Sequence, residues 1–333
     1  MQRRCFLLGG IGMIFGGSAS AQDTPSTDFG WSPNEAFTRR FVADLPDYRE
    51  KILALESADD NADVLLHAFV AKMSPEWTRE RDGRKTLRSY HQGNIGSCVG
   101  HGTAQALNAL IAVQMELGIQ ATEYPSLIAA DAAYGLAREA GGMLGYRGDG
   151  CFGSAAAKSL IGIGSLLRKK YGDVDLAEYS VDRCRKYGSQ GVGSALKTAA
   201  GEHTVSATTQ VKNAVEAWSL IGNGYPINVC SNVGFSRTRD KNGVCAASGT
   251  WNHSMAITGR RTTADGMKLF LIQNSWGDDW CGGPYWQDMP WGSFFATEPT
   301  VDRMMRQGDS FAYSGIQNFR RNVLPDLGTY DYL

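Results

Sequence analysis

Long apolar runs are missing from this 333-residue sequence after residue 22, and no later segment approaches the roughly 18 apolar residues that a membrane-spanning helix needs. The net charge of −1 leaves no surplus of positive charge for nucleic acid or anionic lipid. With 43% hydrophobic residues, the chain can bury one large core or two smaller ones. The composition therefore predicts a soluble globular protein with no nucleic-acid partner and no stable membrane span.

Several cofactor motifs are also missing. The cysteines lack paired C-x-x-C spacing and no H-E-x-x-H occurs, so the sequence gives little support to a zinc site. The glycines between Gly9 and Gly17 lie in an export signal, and the other glycine clusters are not followed by the lysine of a phosphate-binding loop. We expect neither a metal nor an organic cofactor.

The first 21 residues have the pattern of an export signal peptide. Basic residues are followed by an apolar run from Phe6 to about Ser18 and by the small-residue site Ala19-Ser20-Ala21. The arginine pair Arg3-Arg4 resembles a twin-arginine signal, although a general secretory signal also begins with basic residues. The pattern predicts export to the periplasm or the cell exterior, in a bacterium if the twin-arginine interpretation holds.

Cys98 is the most informative residue of the chain. Apolar residues recur at spacings of three and four from Ala104 to Met115, which predicts an amphipathic helix that ends at Gly118. Cys98 then falls in the first helical turn, where unpaired backbone N–H groups and the positive end of the helix dipole favour a thiolate. The alternative is structural, since a single cysteine at a helix start is often a small buried apolar residue.

Three motifs in a fixed order surround this thiol. They are QGNIGSC from Gln92 to Cys98, WNHSMAI around His253, and QNSWG around Asn274. Together they resemble the active-site motifs of papain-family cysteine proteases, and the Asn-Ser-Trp-Gly tetrapeptide is the most specific match. The resemblance extends over roughly residues 77–297 and implies a secreted cysteine peptidase that acts on peptides or proteins.

The resemblance assigns a role to each residue. It implies that Cys98 is the nucleophile, that His253 is its acid and base, and that Asn274 orients the imidazole under the shield of Trp276. It implies an oxyanion hole formed by the Gln92 amide and the backbone N–H of Cys98.

The middle of the chain matches the family less well. The run from Gly150 to Ser154 resembles the family's substrate-backbone segment, with Gly153 matching and Ser154 replacing the second glycine. Asn252 is expected to border the cleft. Ile95 replaces a cysteine usual in the family and Val99 replaces a tryptophan, so one wall of the site should differ.

These departures keep two other functions open. One is a catalytically impaired peptide-binding protein on the same fold. The other is a thiol amidase that acts on cell-wall peptides, which export would permit. Taken singly, His253 could also be a core histidine on an apolar strand, and the sequence around Asn274 an ordinary turn.

Six cysteines remain once Cys5 is removed with the signal. If Cys98 stays a thiol for catalysis, an odd number is left for pairing in an oxidising compartment. The resemblance favours a Cys151–Cys184 disulfide. A Cys230–Cys245 disulfide would close a loop before the His253 strand, which leaves Cys281 over or in competition for Cys245.

The domain organisation follows from these assignments. The resemblance implies an α+β fold of two lobes with the active site between them, a helical lobe over residues 98–190 and an antiparallel β lobe over residues 204–297. Residues 22–76 form two or three short amphipathic helices interrupted at Pro46 and at 57–61, either an intramolecular inhibitory pro-segment or a retained extension. Residues 298–333 are expected to form a surface tail.

Overall fold

Helices gather on one side of the molecule and an antiparallel sheet on the other, which gives a two-lobed α+β fold. A computed structural model describes residues 30–53, 62–116 and 126–316. The helices are α1 (Glu35–Ala43), α2 (Arg49–Leu53), α3 (Leu66–Met73), α4 (Cys98–Glu116), α5 (Ala130–Ala140), α6 (Gly153–Gly162), α7 (Val181–Gln190), α8 (Ser194–Ala200), α9 (Ala214–Gly222) and α10 (Glu298–Met305). The strands are β1 (Val64–Leu65), β2 (Thr78–Arg81), β3 (Arg84–Leu87), β4 (Lys170–Tyr171), β5 (Val174–Asp175), β6 (Val205–Gln210), β7 (Ile227–Arg239), β8 (Cys245–Thr262), β9 (Lys268–Gln273), β10 (Phe294–Thr297) and β11 (Phe311–Ile316).

The main sheet has seven strands in the order β10-β9-β8-β7-β11-β6, with β1 added beside β8. The long pair β7 and β8 forms its centre, in a register that sets Ile227 opposite Ile257 and Ser231 opposite His253. The inner part of β8, from His253 to Arg261, is buried throughout. Such a run is covered on both faces, by helices and by the packed loops around the sheet.

Helix α4 runs through the interior between this sheet and the other helices. Residues 98–114 are all buried, as expected for a helix enclosed on every side. Glycines allow the close approach, because a Cβ at Gly102 would lie 2.8 Å from Ser254 Oγ and one at Gly100 would lie 2.6 Å from Tyr134 Cβ. The first turns of α4 are thereby pressed against β8, one residue away from His253.

The N-terminal extension is built into this core. Ile52 on α2, together with Leu66 and Val70 on α3, belongs to the largest buried apolar cluster of the protein. Strand β1 pairs with β8 through Val64 opposite Arg260. Helix α1 ends at Ala43, before Pro46, while residues 57–61 lie outside the described ranges, as does the predicted signal of residues 1–21.

The prediction of a surface tail at 298–333 is wrong for its first half. Helix α10 buries Val301 and Met304, and β11 is inserted between β7 and β6 with Phe311 and Tyr313 fully buried. The chain returns to the sheet because these apolar residues complete it. The pairing of β11 with β7 and β6 is long-range, and no local sequence pattern predicts it. Residues 317–333 lie outside the described ranges.

The Cys230–Cys245 disulfide is also a wrong prediction. Cys230 is opposite Ser254 while Cys245 is opposite Arg239, nine positions further along β7. Nine strand residues span about 30 Å, and disulfides need Cα atoms within about 7 Å. No disulfide joins the six described cysteines. Cys245 instead lies in hydrogen-bonding contact with Cys281, and the Cys151–Cys184 pairing stays a prediction.

Candidate active site

His253 and Asn274 meet where two neighbouring strands carry them. His253 lies on β8 and Asn274 follows the last residue of β9, which pairs with β8 through Gln273 opposite Ala256. The Nε2 atom of His253 lies 2.8 Å from Asn274 Oδ1, and both side chains are buried. This bond fixes the ring orientation and turns Nδ1 to the opposite edge of the imidazole.

Trp276 covers this pair. Its ring stacks on His253 with centroids 4.4 Å apart and planes at 27°, and Trp251 meets Trp276 edge-on at 4.9 Å. Burial lowers the pKa of His253 to about 4, against the opposing effect of the hydrogen bond to Asn274. His253 is therefore neutral in this buried state at pH 7 and can act as a proton acceptor.

Cys98 is the first residue of helix α4, which packs beside these residues. One turn further on, Gly102 packs on Ser254, and Gln105 Nε2 donates a hydrogen bond to the backbone oxygen of Asn274 at 3.0 Å. The start of α4 is thus fixed against both strands that carry the histidine and the asparagine. Cys98 is fully buried in the first turn of a 19-residue helix, whose positive dipole end favours a thiolate.

The loop before Cys98 is hydrogen-bonded to Ser275, the residue that follows Asn274. The backbone N–H of Gln92 donates to the carbonyl of Ser275 at 2.9 Å, and Ser275 Oγ donates to Gln92 Oε1 at 2.8 Å. Gln92 Nε2 donates to the carbonyl of Ile95 at 2.8 Å. The amide of Gln92 is held on the loop that leads into Cys98, so the structure gathers all four motif residues at the junction of the two lobes.

Comparison with known families agrees with this geometry. A family model described as papain family cysteine protease matches residues 75–287, well over half of the chain. The chain belongs to the papain family of cysteine proteases. A comparison with curated proteins finds no match.

Solved structures of cysteine proteases and their proforms are similar to parts of this chain. The proform of the ragweed pollen allergen Amb a 11 is 13% identical with a TM-score of 0.49, over 85% of this chain and 76% of its own. Xylellain from Xylella fastidiosa is 17% identical with a TM-score of 0.48, over 87% and 96% of the two chains. Procathepsin B S9 from Trypanosoma congolense is 13% identical with a TM-score of 0.49, over 86% and 85%.

The cleft of this papain-family protein contains its own N-terminal strand. Ser32 N donates to the carbonyl of Cys151 at 2.9 Å, and Cys151 N donates to the carbonyl of Gly30 at 2.8 Å. Trp31 N donates to the carbonyl of Asn252 at 3.2 Å, next to His253. The segment Gly30–Ser32, called the groove strand below, therefore crosses the groove in extended form with one parallel β-bridge between Trp31 and Cys151, similar to the way in which peptides pair with a sheet edge.

The predicted substrate residues lie at different distances from this strand. Asn252 and Cys151 form hydrogen bonds with it, whereas none is formed by Gly153 or Ser154 among the described contacts, so the substrate-binding role of Asn252, Gly153 and Ser154 stays a prediction. Gly153 and Ser154 begin α6 and donate their backbone N–H groups to the carboxylate of Asp309, at 2.6 and 2.8 Å. A Cβ at Gly153 would lie 2.1 Å from the Asp309 carbonyl oxygen, so this glycine serves internal packing.

Two further residues of the cleft, Trp31 and Asp309, are not predicted by the sequence motifs. Trp31 is buried among Cys98, Cys151 and Cys230, and its Nε1 donates to Asp309 Oδ2 at 2.8 Å. Asp309 lies in the segment for which the sequence predicts a surface tail, so the sequence assigns it no role. The alternation of apolar and small residues from Phe311 onward is the one signal that could have predicted a strand there.

The family departures at Ile95 and Val99, and the neighbouring His101, are packed in the interior beside the thiol. Ile95 and Val99 are buried in the cluster that contains Cys98. The Nδ1 atom of His101 lies 3.0 Å from the carbonyl of Ser97, and burial lowers the pKa of His101 to about 3. Within the described residues, no group of three or more His, Cys, Asp or Glu side chains is arranged to hold a metal, and no helix is long and apolar enough to cross a membrane.

Proposed function

We propose that this papain-family protein is a cysteine peptidase with Cys98 as nucleophile, His253 as acid and base, and Asn274 as the group that orients the histidine. The observation that carries the proposal is the 2.8 Å bond between His253 Nε2 and Asn274 Oδ1 under the stacked Trp276, at the start of the helix that Cys98 opens. That bond leaves Nδ1 as the atom that exchanges a proton with the thiol.

The reaction follows from these roles. The Cys98 thiol transfers its proton to His253 Nδ1, and the sulfur attacks the carbonyl carbon of a peptide bond. The C–N bond then breaks, the departing amine takes the proton from His253, and a thioester remains on Cys98. Water next gives a proton to His253 and attacks the thioester, which releases the acid product and restores the thiol.

We assign the oxyanion hole to Gln92 and the backbone N–H of Cys98. The negative oxygen that forms on attack needs donors fixed in advance. The bonds from Ser275 Oγ to Gln92 Oε1 and from Gln92 Nε2 to Ile95 O support this role, since they hold the amide rigid in the loop before Cys98.

The strand Gly30–Ser32 supports an inhibitory role for the N-terminus. It occupies the groove beside His253, so a substrate must displace it. We propose that this strand, and not the whole of 22–76, is the part that must leave, because α2 and α3 contribute to the main core. Residues 1–21 are proposed to direct export to the periplasm or the exterior, as the sequence alone suggests.

The experiment is labelling of the full chain with a peptidyl electrophile, read by mass spectrometry of the modified peptide. We expect one adduct on Cys98, its loss in Cys98→Ala, and cleavage of an unmodified peptide by the wild type. Asn274→Ala should lower the rate of labelling and turnover more than it lowers the melting temperature. Labelling that survives Cys98→Ala would refute the nucleophile.

Two other outcomes identify the remaining alternatives. Peptide that binds and is never cut would favour a binding protein on the protease fold. Cleavage of cell-wall peptides without cleavage of protein-derived peptides would favour a thiol amidase.

A further inference from the structure

The peptide group between Asn274 and Ser275 is held by side chains at its carbonyl end. Gln105 Nε2 on α4 donates to the Asn274 carbonyl oxygen at 3.0 Å, and Ser89 Oγ donates to the same oxygen at 2.8 Å. The N–H at the other end, that of Ser275, donates to Asn274 Oδ1 at 2.7 Å. Oδ1 is also the atom that lies 2.8 Å from His253 Nε2. One peptide group therefore connects α4 to the oxygen that binds the histidine.

This peptide group is rigid, so its two ends move together. Because its C–N bond has partial double-bond character, a rotation of the Asn274 carbonyl away from Gln105 turns the Ser275 N–H away from Oδ1. The other polar side-chain atom of Asn274, Nδ2, has no hydrogen-bond partner among the described residues. Within that part of the chain, the amide of Asn274 is fixed through Oδ1 alone, and the position of Oδ1 depends on the peptide plane.

Helix α4 gives Gln105 a fixed position relative to the thiol. Cys98 and Gln105 are separated by close to two helical turns, about 10 Å along the axis, so both lie on one face of the helix. Gly102 lies on that face between them, and a Cβ there would lie 2.8 Å from Ser254 Oγ and 3.0 Å from the carbonyl oxygen of Met255. The face that carries the thiol thus contacts β8 just after its histidine, and Gln105 extends the contact to the residue that follows β9.

The surroundings of Gln105 favour a specific role for its amide over general packing. The side chain is buried, and its Oε1 atom has no hydrogen-bond partner among the residues that the structure describes. A buried amide oxygen without a donor is costly, and a methionine of similar shape would fill the same space without that cost. The bond from Nε2 to Asn274 is therefore the feature that only the glutamine supplies.

We propose that Gln105 is a positioning residue for the proton transfer between Cys98 and His253. It fixes the peptide group after Asn274, and with it the Oδ1 atom that orients the imidazole, relative to the helix that carries the thiol. The inference rests on the proposed function, in which these three residues act together. The competing role is structural, in which Gln105 stabilises the packing of α4 on the end of β9 and affects the histidine only through folding.

The first test compares two substitutions on α4 in the full chain. Gln105→Met removes the donor to Asn274, whereas Asn108→Leu removes an amide that is equally buried, at 5% exposed, and that bonds groups other than Asn274. We expect Gln105→Met to slow labelling of Cys98 by iodoacetamide about fivefold, the factor that one ordinary hydrogen bond corresponds to. On a reporter peptide, kcat should fall by a similar factor while KM stays within about twofold.

The control variant separates this effect from a loss of stability. Asn108→Leu should lower the melting temperature at least as much as Gln105→Met, but its labelling rate should stay within about twofold of the wild type. Equal slowing of Cys98 labelling in the two variants would overturn the inference, because a general loosening of α4 would then account for both.

The second test asks whether Gln105 acts through Asn274. Once Asn274→Ala has removed Oδ1, the peptide plane no longer controls the imidazole, so adding Gln105→Met should slow labelling by less than about 1.5-fold further. A further loss as large as in the wild-type background would overturn the inference, because independent effects multiply. If Gln105→Met does not fold, Ser89→Ala removes the other donor to the same carbonyl. Labelling that is slower in Ser89→Ala, but not slowed further in the Asn274→Ala background, would support the proposal, and any other result would overturn it.

The inference and the proposed function fail in different ways. Slower labelling in Gln105→Met that disappears in the Asn274→Ala background, without cleavage of any reporter, would keep Gln105 as a positioning residue for the thiol and refute the peptidase activity. Cleavage of reporters at equal rates by the wild type and Gln105→Met would refute the inference and leave the proposed function standing.

Discussion

The N-terminal extension contains two parts that the rest of the molecule holds in different ways. The strand Gly30–Ser32 is held by backbone hydrogen bonds to Cys151 and Asn252, by the hydrogen bond from Trp31 to Asp309, and by burial of the Trp31 ring in the small cluster around Cys98. Helices α2 and α3 are held by apolar side chains inside the main core. Any peptide of suitable sequence can supply the first kind of contact, whereas only these helices fill their place in the core.

This difference changes where an inhibitory segment should end. A segment that contributes several side chains to the main core cannot leave without exposing the apolar surface that stabilises the fold, whereas the strand contributes one apolar side chain, Trp31, to a smaller cluster. The boundary that the contacts favour is near Pro33, between the groove strand and the N-cap of α1 at Asn34.

The largest effect is expected from two truncations. A chain that begins at Pro33 should fold and unfold cooperatively, and its Cys98 should react faster with a peptidyl electrophile because the groove is open. A chain that begins at Ser74 lacks Ile52, Leu66 and Val70 and should show no cooperative transition. Circular dichroism during heating and labelling rates measure both outcomes.

Two results would contradict this division. If the Pro33 chain is unfolded, the strand is part of the core. If the Ser74 chain folds and reacts, the helices are as dispensable as the strand, and the whole of 22–76 can act as one removable segment.

The next effect concerns a single core residue of the extension. Leu66→Ala should lower the free energy of unfolding by about 2–5 kcal/mol, since Leu66 is 1% exposed. Leu144→Ala is the matched control at a side chain that is 39% exposed, and its effect should stay within about 0.5 kcal/mol. Urea denaturation measures both. Equal small effects would mean that α3 is only loosely attached.

His67 on α3 gives a pH test of the same burial. Desolvation lowers its pKa to about 4, partly offset by Asp288 at 3.9 Å. Above pH 6.5 the imidazole of His67 is neutral in both the folded and the unfolded state. Between pH 6.5 and about pH 4 it is protonated in the unfolded chain and neutral in the folded one, so the free energy of unfolding falls as the pH is lowered through that window. Between pH 7 and pH 5 the wild type should lose about 2 kcal/mol more than His67→Leu. Parallel losses in urea titrations would mean that α3 leaves His67 open to solvent.

The sequence predicted best what local motifs determine. The start of α4 at Cys98 follows from helical spacing, and the position of Asn274 follows from a short motif that ends a strand. The structure brings these residues together with Gln92 and His253, and their catalytic roles stay proposals. Such features need only a few neighbouring residues, which is why they can be recognised along the chain.

The errors all depend on long-range pairing. The insertion of β11 between β7 and β6 brings Asp309 to α6, and nothing near Asp309 in the sequence indicates that partner. The register of β7 against β8 separates Cys230 from Cys245, and spacing along the chain cannot give a register. The burial of Trp31 has the same origin, because its pocket includes Cys98, Cys151 and Cys230, which lie 67, 120 and 199 positions further along the chain.

The smallest effect on stability, and a selective effect on reactivity, is expected for Gly30→Ala. Gly30 has φ +114°, and an added Cβ would lie 2.1 Å from the Gly96 carbonyl oxygen, so the strand must move off the nucleophile loop. Gly148→Ala is the matched control, because Gly148 has φ +111° but no atom near its missing Cβ. Gly30→Ala should label at Cys98 several-fold faster than the wild type with little change in melting temperature, while Gly148→Ala should label at the wild-type rate. Labelling that is unchanged in Gly30→Ala would show that the strand does not limit access to the thiol, and the inhibitory role would then fail even if the Pro33 chain is stable.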